Sequence, residues 1–298
     1  MKIKNVTIAG AGVMGSQISW QTAFNGFTVK VYDPFEKGLE NGKQLHQNYA
    51  KKFVEEGRGT QEEVNAALGR IAYTTNIEEA FANADLISES VPEDVKIKKE
   101  FWHNVSRIAR EDAILTSNSS SFVPSNWVDE IKGPDRFLAM HFFSIVWEKP
   151  LTEVMAHGGT NKESFNTVVD FVGKIGLSPV PINVEYPGYV INSLFIPWLF
   201  AALKLHFLDI VNYKMVDKVW MVQNMSKTVM GPFAQMDEAG LNVVYHVTKN
   251  AAATDPELAI VAEQLKEQYL DKGKTGVNSG EGFYKYPNPE FENPSFFA

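Results

Sequence analysis

The chain has 298 residues, enough to bury a substantial core as one large domain or two medium ones, and its 44% hydrophobic and 21% charged residues are the usage of a folded globular protein. A formal net charge of −8 with no block of like charges leaves no basic face for nucleic acid. The lack of cysteine excludes disulfides, thiolate zinc sites and cysteine nucleophiles, and no metal site is expected.

The N-terminus enters an apolar strand pattern at once, without the apolar stretch and cleavage site of a signal peptide, so a cytoplasmic location is expected. Short β-rich runs at 6–9, 29–32, 71–73, 86–88, 113–115 and 137–140 alternate with amphipathic stretches, among them 12–25 and 94–110. The charge-rich stretch 35–68 is expected to hold two helices projecting from the sheet. Two further apolar runs, 151–155 and 180–184, flank a helical segment at 162–174, and the sheet is expected to end near Val184.

After Glu185-Tyr186-Pro187-Gly188 the composition shifts to apolar helical patterns at 188–210, 214–222, 233–249 and 256–269. A tail rich in turn formers and aromatics follows, from Gly276 to Pro294. The apolar run 189–203 is interrupted by Asn192, Ser193 and Pro197 and falls short of the roughly 20 residues of a membrane span, so it is read as a core or subunit-interface helix. The expected fold is α/β: a Rossmann-type doubly wound sheet domain over residues 1–185, then an all-helical C-terminal domain over 186–298 for substrate binding and dimerisation.

Gly10-Ala11-Gly12-Val13-Met14-Gly15 follows the first predicted strand, opens a helix, and is succeeded by a second strand ending in Asp33. Three glycines in six residues are weak evidence alone, but strand, turn, helix, strand and acid in this order form a dinucleotide-binding unit. Gly10 permits the tight turn, Gly12 lets the backbone approach a pyrophosphate, and Gly15 lets helix and strand pack closely; Val13 and Met14 open the helix whose N-terminus receives the phosphates. Asp33 would accept from ribose hydroxyls and repel a 2′-phosphate, which favours NAD over NADP. The bland alternative is a glycine-rich turn with Asp33 as a helix cap.

Among six histidines, His141 stands out by position, at the carboxyl end of a predicted strand where open parallel sheets place their chemistry. An alcohol dehydrogenase needs a base near neutrality, and imidazole suits that role. Glu153 lies between apolar neighbours in Leu151-Thr152-Glu153-Val154-Met155 and would fix the imidazole's tautomer, unless it is an edge residue facing water. Ser120 reads as a turn or cap residue, and Asn192 as a polar residue near a helix start that would lie at an inter-domain cleft.

Eight ordered segments carry a resemblance over nearly the whole chain. They are the glycine loop, Glu89-Ser90-Val91-Pro92-Glu93, Ser117-Asn118-Ser119-Ser120-Ser121, His141-Phe142-Phe143, Leu151-Thr152-Glu153-Val154, Gly188-Tyr189-Val190-Ile191-Asn192, Met230-Gly231-Pro232-Phe233 and Gly282-Phe283-Tyr284. In these the chain resembles the L-3-hydroxyacyl-CoA dehydrogenases, including the short-chain 3-hydroxybutyryl-CoA enzymes. The resemblance implies that His141 is the general acid/base, that Glu153 orients it, and that Ser120 and Asn192 bond the reacting oxygen. It also implies that Glu89 and Asn118 belong to the cofactor side, that the substrate is an acyl-CoA, and that the chain forms a homodimer.

The chain departs from the family pattern beside His141. Where the family continues with Asn-Pro, it has Ser144-Ile145, then Val146-Trp147-Glu148-Lys149-Pro150, and Ser193 stands where arginine is common after Asn192. A bulky Trp147 and an acidic Glu148 would narrow or recharge an acyl pocket. Basic residues for a CoA phosphate could come from Lys51, Lys52, Arg58, Lys96 and Lys98, but surface lysines are common and no CoA contact is assigned among them. The competing readings are an NAD-linked dehydrogenase of a free 3-hydroxy acid, such as a sugar acid or carnitine-like compound, and a catalytically silent dinucleotide-binding protein. Joint retention of His141, Glu153, Ser120 and Asn192 speaks against the latter.

Overall fold

The computed structural model describes residues 2–224, 230–293 and 296. The chain divides into two compact units, Met1–Val190 and Ile191–Ala298.

The first unit is built in chain order from β1 (Asn5–Ala9), α1 (Val13–Phe24), β2 (Thr28–Tyr32), α2 (Glu36–Glu55), α3 (Gln61–Gly69), β3 (Ile71–Thr74), α4 (Ile77–Phe81), β4 (Leu86–Glu89) and α5 (Val95–Ile108). It continues with β5 (Ile114–Ser117), β6 (Phe137–Phe142), β7 (Leu151–Ala156), α6 (Lys162–Lys174) and β8 (Ser178–Ile182). The strands form an eight-stranded sheet in the order β3-β2-β1-β4-β5-β6-β7-β8. Strands β1 to β6 run parallel, and β7 turns back antiparallel to β6 with β8 parallel to it. The chain winds outward through β2 and β3 and returns to β4 beside β1. The strand order therefore reverses at β1/β4, where doubly wound sheets bind their ligands.

Alternation along β1 sends side chains to both faces, as a sheet covered by helices on each side requires. Val6 and Ile8 join one core with Ile18, Trp20, Leu39, Phe53, Val168 and Phe171, while Ala9 joins the other with Phe81, Trp102, Val105 and Trp127. Local chemistry sets the helix starts: Thr60 and Glu63 form a reciprocal capping box at α3, Asp94 caps α5 and Asn161 caps α6.

The second unit contains α7 (Ile191–Phe207), α8 (Tyr213–Gln223), α9 (Pro232–Ala239), α10 (Leu241–Ala251) and α11 (Pro256–Gln268) around a core of Leu203, Phe207, Phe233, Met236, Val261 and Leu265. The single helix expected at 233–249 is two, because Gly240 adopts φ +90° and ends α9. Asp217 takes the place of a cap at α9, accepting from Phe233 N at 2.8 Å and Ala234 N at 3.0 Å, where the N-cap Gly231 has no side chain to do so. Its carboxylate also receives the Tyr284 hydroxyl at 2.9 Å, which ties the tail to the helices. The last tail residue singled out in the sequence, Pro294, lies outside the described residues. Of the run expected to be a core or subunit-interface helix, Leu199 is buried in this unit's own core, with Phe195, Trp198 and Phe200 partly buried against that core. Exposed aliphatics of this unit include Leu194, Ile210, Val219, Val222, Val243 and Ile260. No helix among the described residues is long and apolar enough to cross a membrane.

Candidate active site

The glycine loop leaves β1 at the sheet's reversal point. Gly10 adopts φ +99°, and its N–H donates to the Tyr32 carbonyl at 2.7 Å, which joins the ends of β1 and β2. A Cβ at Gly10 would meet the Ser90 carbonyl, and one at Gly15 would overlap the Gly10 carbonyl oxygen, so both positions require glycine. Gly12 differs: a Cβ there would meet nothing within 4 Å. Gly12 is also the N-cap of α1 with no side chain capping the helix, and Val13 behind it is 57% exposed. An open approach to an uncapped helix N-terminus fits a pyrophosphate.

Asp33, just beyond β2, is half-buried and anchored. One carboxylate oxygen accepts from Ala11 N at 3.0 Å and the other from Phe35 N at 3.0 Å. Gly38 allows α2 to begin this close, since a Cβ there would strike the Asp33 carboxylate. Each oxygen keeps a further lone pair for a ribose hydroxyl.

At the other side of β4 lies a charged cluster with a buried pair, Glu89 and Lys98, and an exposed third member, Glu93. Glu89 is fully buried, with one oxygen 2.5 Å from Lys98 Nζ and accepting from Val91 N, and the other accepting from the Ser117 hydroxyl at 2.7 Å. Glu89 is therefore held in place by Lys98, Ser117 and the Val91 N–H. Lys98 also reaches Glu93 at 3.2 Å, and Glu93 accepts from the Ser119 hydroxyl at 2.5 Å and from Ser120 N and Ser121 N at 3.2 Å. Lys98 and Glu93 shape the Ser119-Ser120-Ser121 turn, a role that sequence reading missed for both. The signal was present: Lys98 stands on the apolar face of α5, four residues before buried Trp102, and a buried lysine requires a partner.

Asn118 holds the neighbouring strand ends together. Its N–H donates to the Glu89 carbonyl, its amide nitrogen to Ser90 Oγ at 3.3 Å, and its amide oxygen accepts from Phe142 N at 2.8 Å. It thus spans the ends of β4 and β6, with half-buried Ser120 two residues beyond it.

His141 is the penultimate residue of β6, and antiparallel pairing places it directly opposite Glu153 of β7. Its Nδ1 lies 2.8 Å from Glu153 Oε2, and both residues are buried. Glu153 Oε1 accepts from Val190 N at 2.8 Å. A carboxylate only accepts, so Nδ1 carries a proton, and in the neutral ring Nε2 holds the lone pair. Two rings flank the imidazole, Phe143 at 5.2 Å and Tyr189 at 5.0 Å between centroids, and the Tyr189 hydroxyl donates to the Phe122 carbonyl at 3.1 Å. Burial pushes the Tyr189 phenol well above its usual range, so it stays neutral. The fold brings His141 and Glu153 into contact and sets Asn118 on the adjoining strand end. Asn192 stands in the first turn of α7, in the second unit.

The comparisons with known proteins agree along the length of the chain. Residues 5–185 match the family model for the 3-hydroxyacyl-CoA dehydrogenase NAD-binding domain, and residues 188–286 that for the C-terminal domain. A probable 3-hydroxyacyl-CoA dehydrogenase of Caenorhabditis elegans is 32% identical over 96% of this chain and 93% of its own. The mitochondrial hydroxyacyl-coenzyme A dehydrogenase of Rattus norvegicus is 31% identical over 95% of this chain and 91% of its own. Among solved structures, a diketoreductase described as acting on dicarbonyl compounds superposes with a TM-score of 0.90 at 37% identity, covering 96% of this chain and 100% of that one. With both of its domains matched and full-length likeness to named dehydrogenases, the chain belongs to the 3-hydroxyacyl-CoA dehydrogenase family of NAD-dependent oxidoreductases.

Proposed function

We propose that this protein interconverts a short-chain L-3-hydroxyacyl compound and its 3-oxoacyl counterpart with NAD, and that His141 is the general acid/base. The observation that carries this reading is the buried 2.8 Å contact between His141 Nδ1 and Glu153, which leaves Nε2 as the basic atom. Bound NAD supplies the two-electron acceptor for the alcohol carbon. In oxidation, Nε2 takes the hydroxyl proton and Glu153 stabilises the imidazolium that results. In reduction, the same nitrogen returns the proton to the carbonyl oxygen. Ser120 and Asn192 offer polar groups to the oxygen as its charge changes.

The cofactor contacts proposed are Gly10, Gly12, Val13, Met14, Gly15, Asp33, Glu89 and Asn118. Asn118 and Glu93 also hold the β5 turn, and Glu89 acts on them through Lys98 and Ser117. CoA is the acyl carrier that the family name suggests. A dicarbonyl substrate without CoA is favoured by the 37% identity to the diketoreductase, and a free 3-hydroxy acid is the other reading without CoA. Exposed aliphatics of the second unit, among them Leu194, Ile210, Val219 and Val222, support a homodimer, and sedimentation at micromolar concentration tests it. For the reaction, NADH absorbance is followed with acetoacetyl-CoA, ethyl acetoacetate and free acetoacetate. Oxidation of NADH by at least one 3-oxo compound is expected, and none by any would overturn the proposal.

A further inference from the structure

The loop joining β6 to β7, residues 143–150, begins and ends at the candidate dyad, because the strands it connects carry His141 and Glu153 opposite each other. Its shape is unusual. Ile145 sits at φ +61°, a conformation that a β-branched residue rarely adopts and that proline, locked near −65°, cannot. It is held there: Ile145 N and Val146 N both donate to Gln17 Oε1 of α1, at 2.7 and 3.2 Å, and Glu148 N and Lys149 N close back on the Ile145 carbonyl.

The course of the loop lays Trp147 on α2, with ring centroids 4.9 Å from Tyr49 and 5.2 Å from Phe53. The next residue, Glu148, then enters the cations at the end of that helix. Glu148 Oε1 lies 2.9 Å from Lys52 Nζ and 3.8 Å from Arg58, and Glu56 pairs with the same two at 3.5 and 2.6 Å. Lys51 is matched by Glu55 at 3.6 Å. Glu148 is the chief cause that raises the Lys52 ammonium above its usual range. Of the residues suited to a nucleotide phosphate, Lys98 is likewise committed, to Glu89 and Glu93. A phosphate arriving at Lys52 and Arg58 must displace a carboxylate already in place, next to a helix C-terminus whose dipole disfavours anions. Little charge recognition is left for it at this helix end, while Lys96 of α5 stays exposed.

We infer that the 143–150 loop is the specificity element of this enzyme, and that it selects a 3-hydroxy or 3-oxo substrate lacking a nucleotide-bearing carrier, with Glu148 as the residue that withholds Lys52 and Arg58 from a carrier phosphate. This rests on the reaction proposed above and narrows its substrate class to compact acyl esters, thioesters or 1,3-dicarbonyls. The diketoreductase likeness points the same way.

The test compares kcat/KM for acetoacetyl-CoA and acetoacetyl-N-acetylcysteamine, which share reacting atoms and thioester but differ in the nucleotide, with a free 1,3-diketone alongside. In the wild-type chain the CoA to N-acetylcysteamine ratio is expected below about tenfold at low salt and flat with ionic strength. E148Q removes one of the two carboxylates on Lys52 and Arg58, leaving Glu56 as their only partner, and is expected to raise that ratio severalfold, an increase that added salt removes. A wild-type ratio of about tenfold or more, or a ratio that E148Q does not move, overturns the inference while leaving the proposed reaction intact. Failure of all three substrates to oxidise NADH overturns the proposed reaction, and this inference with it.

Discussion

Replacing Glu153 by Gln changes the hydrogen-bond chemistry of the dyad while nearly preserving its shape, and the surroundings dictate which way the new amide points. Val190 N–H donates to Glu153 Oε1 at 2.8 Å, so the amide oxygen of the variant must occupy that site. Its NH2 then faces His141 at the position of Oε2, 2.8 Å from Nδ1. Facing a donor, the imidazole gives up its Nδ1 proton and carries it on Nε2, the atom required to accept the substrate's proton. The opposite amide orientation would set NH2 against the Val190 N–H, a buried donor pair that costs about 1–3 kcal/mol. E153Q is therefore expected to lower kcat for alcohol oxidation by about 10²- to 10⁴-fold, the range of a general base lost or mis-set. NADH affinity, read by its fluorescence on binding, is expected to stay within about twofold, because the glycine loop and Asp33 are untouched. An E153Q enzyme with wild-type kcat would refute the tautomer argument, and a variant that lost NADH binding equally would show a structural role alone.

Three further outcomes follow from the sheet domain. G15A forces a Cβ into the Gly10 carbonyl, so NAD affinity and folding stability should both fall, by about 1–3 kcal/mol in stability as read by denaturant unfolding. D33A removes the acceptor for Ala11 N and Phe35 N together with the ribose partner, so the KM for NAD should rise by about tenfold or more with a smaller change in kcat. His46, fully buried between Ser19, the Ser16 carbonyl and Tyr73, has its pKa lowered by desolvation from 6.5 to about 4. The unfolded chain then takes the proton first as pH falls. This contribution is complete above pH 6.5 and is lost down to about pH 4, amounting to about 3 kcal/mol across that interval. Unfolding midpoints measured from pH 4 to 7 should show the slope in the wild-type chain and lack it in H46Q.

What could be read in the sequence was what depends on neighbours along the chain. The glycine loop, α1 and Asp33 lie within one strand–helix–strand unit, and their spacing alone encodes the geometry. His141 was recognisable as a strand-end histidine, but its partner becomes certain only through the antiparallel register of β6 and β7. The burial of Glu89 was hidden for a related reason. Its motif shows an acid but not the lysine on α5 that neutralises it. The five-residue α4 is too short to display a helical period, although Asn76 caps it. Gly240 was visible within a continuous apolar pattern, and only its positive φ shows that the pattern is two helices.

The most direct test of the dyad is H141A. Steady-state oxidation of NADH is measured with a 3-oxo substrate that the wild-type chain reduces, beside NADH binding by fluorescence. The account predicts a fall in kcat of about 10²-fold or more with binding within about twofold of wild type, whereas wild-type turnover in H141A would contradict it.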